Sequence, residues 1–314
     1  MAGTDPDDSG PDDSGPAPEV HAHPLDATQL DGLLALSRSA HWNQTADDWR
    51  HMLATGRGWG LSLADGSLVA STIVLPYGPS AEGAGGGFAW VSMVLVLPAH
   101  RRRGFASRLL RDALAWLDAR GLVPVLDATP AGHPVYRQEG FLDTWAFARY
   151  ERVAPADREQ AAPPSGLTIE PLHEAHWPAV RALDAPAFGA DRDALLQALA
   201  RRRPTAARVA VRDGTVVGWL LARPGRVATQ LGPLVALHTD DAVALLDAAL
   251  ATETGPVFVD VPDAQLELLE ALRQRGFVMQ RPFTRLVHPG RAASPPPAPG
   301  DARTVRLVAG PELG

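Results

Sequence analysis

The segment at residues 91–107, VSMVLVLPAHRRRGFAS, constrains the fold more than any other part of the sequence. Residues 91–96 are nearly all apolar, as in a strand that is buried on both faces. After a basic turn, apolar side chains recur at helical spacing over residues 109–117, and Gly121 follows where a helix C-cap belongs. The segment therefore predicts a buried strand whose carboxyl end leads directly into the N-terminus of a helix.

The turn between these elements has the chemistry of an anion site. A helix N-terminus leaves backbone N–H groups unpaired and carries a partial positive charge. Gly104 allows close approach of a ligand to the backbone because it has no Cβ. Arg101, Arg102 and Arg103 add fixed positive charge. These features predict a pyrophosphate cradle, and a basic loop that merely connects the strand to the helix is the alternative.

The same residues resemble a known family motif. VLPAHRRRGFA is similar to the acetyl-coenzyme A motif of the GNAT N-acetyltransferase superfamily, Arg/Gln-x-x-Gly-x-Gly/Ala, with Arg101, Gly104 and Ala106 at the motif positions. A second landmark is LDATPAGHPVYRQEGF at residues 126–141. It resembles the family's strand, short tyrosine-bearing helix and terminal Gly-Phe, with Tyr136 in the place of that tyrosine. The two motifs occur in the order that the family requires.

The resemblance implies acetyl-coenzyme A as cosubstrate, no metal, and a set of coenzyme-binding residues. The backbone of the central strand would pair with the pantetheine arm, and the turn would hold the pyrophosphate. These residues are Val94, Leu95 and Val96, then Arg101, Arg102, Arg103, Gly104, Phe105, Ala106 and Ser107. Tyr136 would protonate the leaving thiolate as general acid, and a packing role is its alternative.

The acceptor side of the site is less marked in the sequence. In the family, the region between the first strand and the second helix lines the acceptor site. Here that region contains His41, Trp42, Asn43 and Gln44, whose alternative is a polar loop with one packed tryptophan. An amine must lose a proton before it attacks. The general base stays open among three nearby residues, or a water chain could take the proton; the residues are Asp127, His133 and Glu139.

Composition narrows the kinds of site and the partners that the chain can have. The chain has no cysteine, which excludes disulfides and thiolate chemistry. Its net charge of −7 arises mainly from acidic residues within positions 1–20, so the rest is nearly neutral and nucleic acid is not an expected partner. No apolar run reaches the roughly 20 residues of a membrane span, and no signal-like start is present. We expect a cytoplasmic protein, monomeric or homodimeric, with no membrane partner.

The second half of the chain repeats the first. GLTIEPLHEAHWPAV echoes EVHAHPLDATQLDGL, and Gly276-Phe277 echoes Gly140-Phe141. The predicted units are a disordered acidic tail at 1–17, a catalytic domain at 18–152, a linker at 153–166 and a degenerate domain at 167–290. A Pro-rich loop at 291–303 and a final strand and C-terminus at 304–314 follow, with a disordered tail as the alternative for the latter.

The second copy lacks the residues that carry the chemistry. Its segment VALHTDDAVALLDAAL has no cradle motif, Asp240 and Asp241 would repel phosphate, and Leu272 stands where Tyr136 would be. It resembles the C-terminal half of a tandem GNAT subgroup at residues 184–196, 255–262 and 281–286. Asp191 and Arg192 either face the substrate or pair with each other. The same two alternatives, a substrate contact or a structural pair, apply to Arg281 and Arg285, and structural pairing is the favoured interpretation.

The sequence thus predicts an α/β (α+β) chain of two GNAT-like domains. Each would be a mixed, mostly antiparallel twisted sheet with a splayed central strand pair, flanked by helices. The predicted function is transfer of acetyl from acetyl-coenzyme A to a primary amine of a small-molecule or peptide acceptor. A non-catalytic acyl-coenzyme A-binding sensor is the alternative, and a mycothiol-synthase-like acyltransferase ranks lower because the intact motif is N-terminal.

Overall fold

The structure, a computed structural model, describes residues 19–78, 87–153, 164–290 and 299–314. The predicted acidic tail at 1–17 lies outside these residues. So do most of the predicted linker at 153–166 and most of the predicted Pro-rich loop at 291–303.

The first half alternates strands and helices around the segment at residues 91–107. Its central strand is β4, and the amphipathic helix after the basic turn is α3, which buries Leu109, Leu110, Ala113 and Leu117 against the sheet. The elements are β1 (His21–Pro24), α1 (Leu30–Ser39), α2 (Ala46–Thr55), β2 (Arg57–Ser62), β3 (Leu68–Tyr77), β4 (Phe88–Val96), α3 (Phe105–Asp118), β5 (Val123–Ala128), α4 (His133–Gln138) and β6 (Leu142–Arg152).

The second half repeats this order of elements and adds one short strand. The elements are β7 (Leu167–Pro171), α5 (Trp177–Phe188), α6 (Asp193–Arg202), β8 (Arg208–Arg212), β9 (Thr215–Arg223), β10 (Thr229–Ala236), α7 (Thr239–Leu250), β11 (Val257–Pro262), α8 (Leu266–Gln274), β12 (Val278–Val287) and β13 (Val305–Leu307). The added strand, β13, lies within the segment where the sequence predicts a final strand.

The strands in the described residues form one continuous sheet. Their order is β1-β2-β3-β4-β5-β12-β6-β11-β10-β9-β8-β7, and β13 pairs with β10. Most neighbours are antiparallel, which confirms the predicted mixed and mostly antiparallel class. The order also shows that β12 lies between β5 and β6, while β6 lies between β12 and β11. Each half therefore inserts its last long strand into the sheet of the other half.

This strand exchange is held by a pair of matching contacts. Phe147 of β6 stacks on Phe283 of β12 with ring centroids 5.0 Å apart. Two residues beyond each phenylalanine, an arginine reaches across to the neighbouring strand of the other half. Arg149 of β6 binds Asp260 of β11 at 2.7 and 2.8 Å. The equivalent pair joins Arg285 of β12 to Asp127 of β5 at 2.9 and 3.0 Å.

Candidate active site

The predicted cradle has the backbone geometry that a phosphate group needs. After β4 the chain makes one turn and enters α3 through Gly104, whose φ of +76° lies in the left-handed region. A Cβ at this position would meet no protein atom within 4 Å, so the glycine faces open space. Arg101 and Arg102 are exposed beside it. The unpaired amides of the first α3 turn, a glycine with open space above it and a basic rim fit a pyrophosphate group.

The central strand offers an open edge next to this cradle. β4 pairs with β5 in parallel over three residues only, ending at Trp90 opposite Val125. Beyond that point the strands diverge, and a bulge places Met93 at a φ of +53°. Ser71 Oγ donates a hydrogen bond to the Met93 carbonyl at 2.8 Å and holds the bulge. The free edge at residues 91–96 therefore fits an extended ligand arm that pairs with backbone.

The predicted coenzyme residues differ in how they could contribute. The Leu95 and Phe105 side chains are buried in the core, so only their backbone groups can face a ligand. Val94 is half-buried and lines the pocket described next. Val96 accepts a 3.4 Å hydrogen bond from Arg101 Nε through its carbonyl. The half-buried members of the turn are Arg103, Ala106 and Ser107.

A pocket opens where β4 and β5 diverge, with an empty volume of about 470 Å³. Its walls come from both halves of the chain. The first half contributes Trp42, Gln44, Val91, Ser92, Met93, Val94, Asp127, Thr129, Tyr136 and Arg149, and the second half contributes Arg281, Phe283, Pro311 and Glu312. The second half thus completes a site that is centred on the first.

Tyr136 reaches this pocket from α4. Its ring packs edge-on against Phe141 of the predicted Gly-Phe landmark, with centroids 6.0 Å apart. Burial raises the pKa of the Tyr136 phenol above its usual value. The hydroxyl is therefore protonated at neutral pH and can donate a proton or a hydrogen bond.

The four predicted acceptor residues do not all lie in the pocket. Trp42 and Gln44 line the pocket. Asn43 is buried and instead binds the second half, donating to the Ala228 carbonyl at 3.0 Å and accepting from the amides of the same loop. His41 is exposed, with a φ of +55°. Two of the four therefore lie where an acceptor could touch them.

The general-base candidates from the sequence are all tied to other charged groups. Asp127 lines the pocket, but Arg285 donates to both of its oxygens at 2.9 and 3.0 Å. Burial raises the pKa of Asp127 to about 6, although the Arg285 charge lowers it. Glu139 accepts two hydrogen bonds from Arg111, and His133 pairs with Asp143 at 3.0 Å.

The segment at residues 308–314, here called the terminal segment, reaches the pocket and was not anticipated there. The Pro311 carbonyl accepts from Trp90 Nε1, and the Leu313 carbonyl accepts from the Tyr77 hydroxyl, both at 2.9 Å. Glu312 pairs with the buried Arg223. The sequence signal here is the strand-like alternation at residues 304–309 that ends in AGPELG, and it does not indicate which half the segment enters.

The predicted pairing of Asp191 with Arg192 is wrong. Arg192 instead binds Asp184 through two hydrogen bonds of 2.9 and 3.0 Å, and it donates to the Gly314 carbonyl at 2.8 Å. Asp191 accepts from the Asp193 amide. Arg192 pairs with Asp184 because both side chains are buried, and an unpaired buried charge would be costly.

The second half fills the place where the first half has its open edge. β10 and β11 also pair in parallel over three residues and then diverge. β13 occupies this gap, pairing Leu307 with Leu234 of β10, while the Val308 amide donates to the Asp260 carbonyl at 3.0 Å. Arg306 donates to the carbonyls of Ala236 and Leu237 in the turn that follows β10. The chain's own residues therefore lie where a coenzyme arm would bind.

Comparison with known proteins assigns both halves to one family. Residues 21–142 match a family described as Acetyltransferase (GNAT) domain, and residues 180–297 match a second family of the same description. The chain belongs to the GNAT acetyltransferase superfamily. It is an acyltransferase with two GNAT halves in tandem, of which only the first has the cradle motif.

This tandem GNAT protein matches its relatives over most of their length, and it shares the fold of the solved structures. It is 23% identical over 256 residues to the uncharacterized N-acetyltransferase YitH of Bacillus subtilis (strain 168), covering 81% of this chain and 86% of that protein. A putative acetyltransferase from Pyrococcus horikoshii is 18% identical, with a TM-score of 0.72 over 94% of this chain and 96% of its own. A tandem GNAT protein from the clavulanic acid biosynthesis pathway is 17% identical, with a TM-score of 0.65 over 86% of this chain and 98% of its own.

Within the described part of this GNAT chain, no helix has the length and apolar character that crossing a bilayer requires. The same residues contain no group of three or more histidine, aspartate or glutamate side chains placed to hold a metal ion.

Proposed function

We propose that the first GNAT half transfers the acetyl group of acetyl-coenzyme A to a primary amine of a small molecule or a peptide. The amine would attack directly while both substrates are bound. One observation carries the proposal: the open edge of β4 and the Tyr136 side chain line the same pocket, and that strand leads straight into the cradle at Gly104.

The chain's residues would hold the donor at two points. The amides of the first α3 turn, with Arg101 and Arg102 beside them, would bind the pyrophosphate. The backbone at residues 94–96 would pair with the pantetheine arm along the free edge of β4. The coenzyme supplies the activated acyl group as a thioester. Holding it by backbone on a buried strand fixes the carbonyl in the pocket that the acceptor enters.

Tyr136 would act on the leaving group. As the carbon–sulfur bond breaks, negative charge develops on sulfur, and the phenol can hydrogen-bond to it and supply the proton. Because burial raises the pKa of Tyr136, the phenol stays protonated throughout the neutral range. The second half would have no general acid that corresponds to Tyr136, since the matching position holds Leu272, which is fully buried in the core.

The test of this function is thiol release from acetyl-coenzyme A against a panel of primary amines. We expect release that depends on the amine and disappears in Gly104→Glu. The added side chain would fill the open space above the cradle and bring a negative charge to it. Tight coenzyme binding without release for any amine would favour the acyl-coenzyme A sensor instead.

The two halves differ in a way that binding stoichiometry can measure. Because β13 fills the second gap, we expect one acetyl-coenzyme A per chain by isothermal titration calorimetry. Gly104→Glu should then bind none. A stoichiometry of two, or a residual site in that variant, would contradict the conclusion that the second half is closed to coenzyme.

A further inference from the structure

We propose that Glu312, Ser92 and Gln44 bind the acceptor as its primary ammonium ion and that Glu312 removes the proton which makes it a nucleophile. The inference rests on the proposed transferase function for its last step. The binding site itself is supported by buried, unpartnered oxygen atoms of residues that line the pocket.

Three oxygen atoms in this pocket lack a partner within the protein. Among the residues that the structure describes, the buried pocket-lining side-chain atoms without a hydrogen bond are Gln44 Oε1, Ser92 Oγ and Glu312 Oε2. All three side chains are more than nine-tenths buried. They come from distant parts of the chain: the loop before α2, the strand β4 and the terminal segment. Their convergence on one pocket is therefore a property of the fold.

A buried oxygen without a donor is costly, and three in one pocket point to a ligand that supplies donors. A primary ammonium group has three N–H donors and no acceptor. Its positive charge suits the Glu312 carboxylate. Trp42, which also lines the pocket, offers an aromatic surface of the kind that attracts cations. A neutral hydroxyl would satisfy fewer of these oxygens and would leave the carboxylate charge unmatched.

Glu312 is held so that one oxygen is occupied and the other is free. Its Oε1 accepts from Arg223, which is 1% exposed and also donates to Asp48 at 2.9 Å. Gly310, at a φ of +118°, allows this approach, since a Cβ there would lie 2.9 Å from Glu312 Oε2 and 2.8 Å from Arg223 Nη2. Asp48 is also paired with Arg202 at 2.7 Å, so Arg223 is the ion-pair partner of Glu312 Oε1 and leaves Oε2 unoccupied.

Two other carboxylates in and beside the pocket walls are occupied by arginines. Arg285 occupies both oxygens of Asp127, and Asp260 binds Arg149 through two hydrogen bonds. The remaining charged residue of the walls, Arg281, is cationic and supplies no carboxylate oxygen. Glu312 Oε2 is thus the carboxylate oxygen of the pocket that is positioned to receive a proton.

The chemical step balances as follows. The ammonium nitrogen gives one proton to Glu312 Oε2, and its lone pair forms a bond to the thioester carbonyl carbon. The tetrahedral adduct collapses with cleavage of the carbon–sulfur bond, and the sulfur takes the Tyr136 proton. The nitrogen gives up its second proton as the amide forms, and this proton restores the Tyr136 phenol, while Glu312 releases the first. Two protons have then left nitrogen, one has gone to sulfur through Tyr136, and one leaves to solvent.

A binding experiment tests the site without requiring turnover. The protein is titrated with n-butylammonium chloride and separately with n-butanol, and tryptophan fluorescence reports binding because Trp42 lines the pocket. We expect the ammonium to bind at least about tenfold more tightly than the alcohol, the gain typical of hydrogen bonds to a charged group. Equal affinity for the two probes in the unaltered protein would overturn the proposal, and this comparison needs no variant.

Variants assign the preference to the proposed residues. Glu312→Gln should abolish the preference for ammonium, and Ser92→Ala should weaken ammonium binding several-fold. Glu253→Gln is the matched control, because Glu253 is equally buried and pairs with Arg203 in the second half, away from the pocket. It should keep the full preference. An ammonium preference that survives in Glu312→Gln would also overturn the proposal.

Kinetics separate this proposal from the proposed function. If amines promote thiol release, Glu312→Gln should lower kcat at least about 10²-fold, with coenzyme affinity unchanged. Ammonium binding that depends on Glu312, without release for any amine, would sustain the site and reject the transferase. Amine-dependent release with an unchanged kcat in Glu312→Gln would sustain the transferase and reject Glu312 as the base.

Discussion

Replacing Tyr136 by phenylalanine will lower kcat for acetyl transfer by about 10²-fold or more while the dissociation constant of acetyl-coenzyme A changes less than about twofold. The change removes one hydroxyl from a ring whose packing on Phe141 stays intact. In the proposed function the coenzyme is held elsewhere, by the cradle and the β4 edge. Single-turnover thiol release and calorimetric binding measure the two quantities separately.

The control for this variant is Tyr150→Phe, since Tyr150 is a buried tyrosine of β6 that does not line the pocket. It should keep full activity. The pH dependence adds a second check. Because burial raises the pKa of Tyr136, its deprotonation should produce no alkaline loss of activity below about pH 10. A Tyr136→Phe enzyme with normal kcat would remove this residue from the mechanism.

Ending the chain after Gly310 will abolish acetyl transfer and destabilise the whole protein. The four deleted residues carry Glu312, and they cover Trp90 and Tyr77 through backbone carbonyls. Their loss also leaves Arg223 and Arg192, both buried, with one partner fewer each. We expect at least a 10²-fold loss of kcat and a loss of about 3 kcal/mol in the free energy of unfolding.

Thermal and denaturant unfolding measure the stability loss, and thiol release measures the activity loss. Glu312→Gln is the informative comparison, because it keeps the backbone contacts of the segment. It should lose activity as the truncation does but retain more of the stability. A truncated chain with unchanged melting temperature and activity would show that the terminal segment has neither role.

The coenzyme side of the site could be predicted because it is local in sequence. A buried strand, Gly104 and an amphipathic helix follow one another directly, and this local order is what predicts an anion site at the helix N-terminus. The repeat of elements in the second half was predictable for the same reason. Each motif consists of neighbours in the chain, so spacing and periodicity describe it fully.

The acceptor side could not be predicted because it depends on long-range pairing. Periodicity shows that β6 and β12 are strands, but it does not say which strands they pair with. The repeated F-x-R triplets at Phe147 and Phe283 were a signal of equivalent roles, although their aspartate partners lie more than 100 residues away. The position of Glu312 in the pocket could not be predicted for the same reason, since it depends on which strand β13 pairs with.

The strand exchange has a consequence for how this chain folds during its synthesis. The first half cannot finish its sheet when its own residues have left the ribosome, because the neighbour of β5 is β12, which is synthesised more than 120 residues later. Folding must therefore wait for nearly the whole chain. A fragment that contains the first half alone would lack both the sheet neighbour of β5 and the pocket wall that the second half supplies.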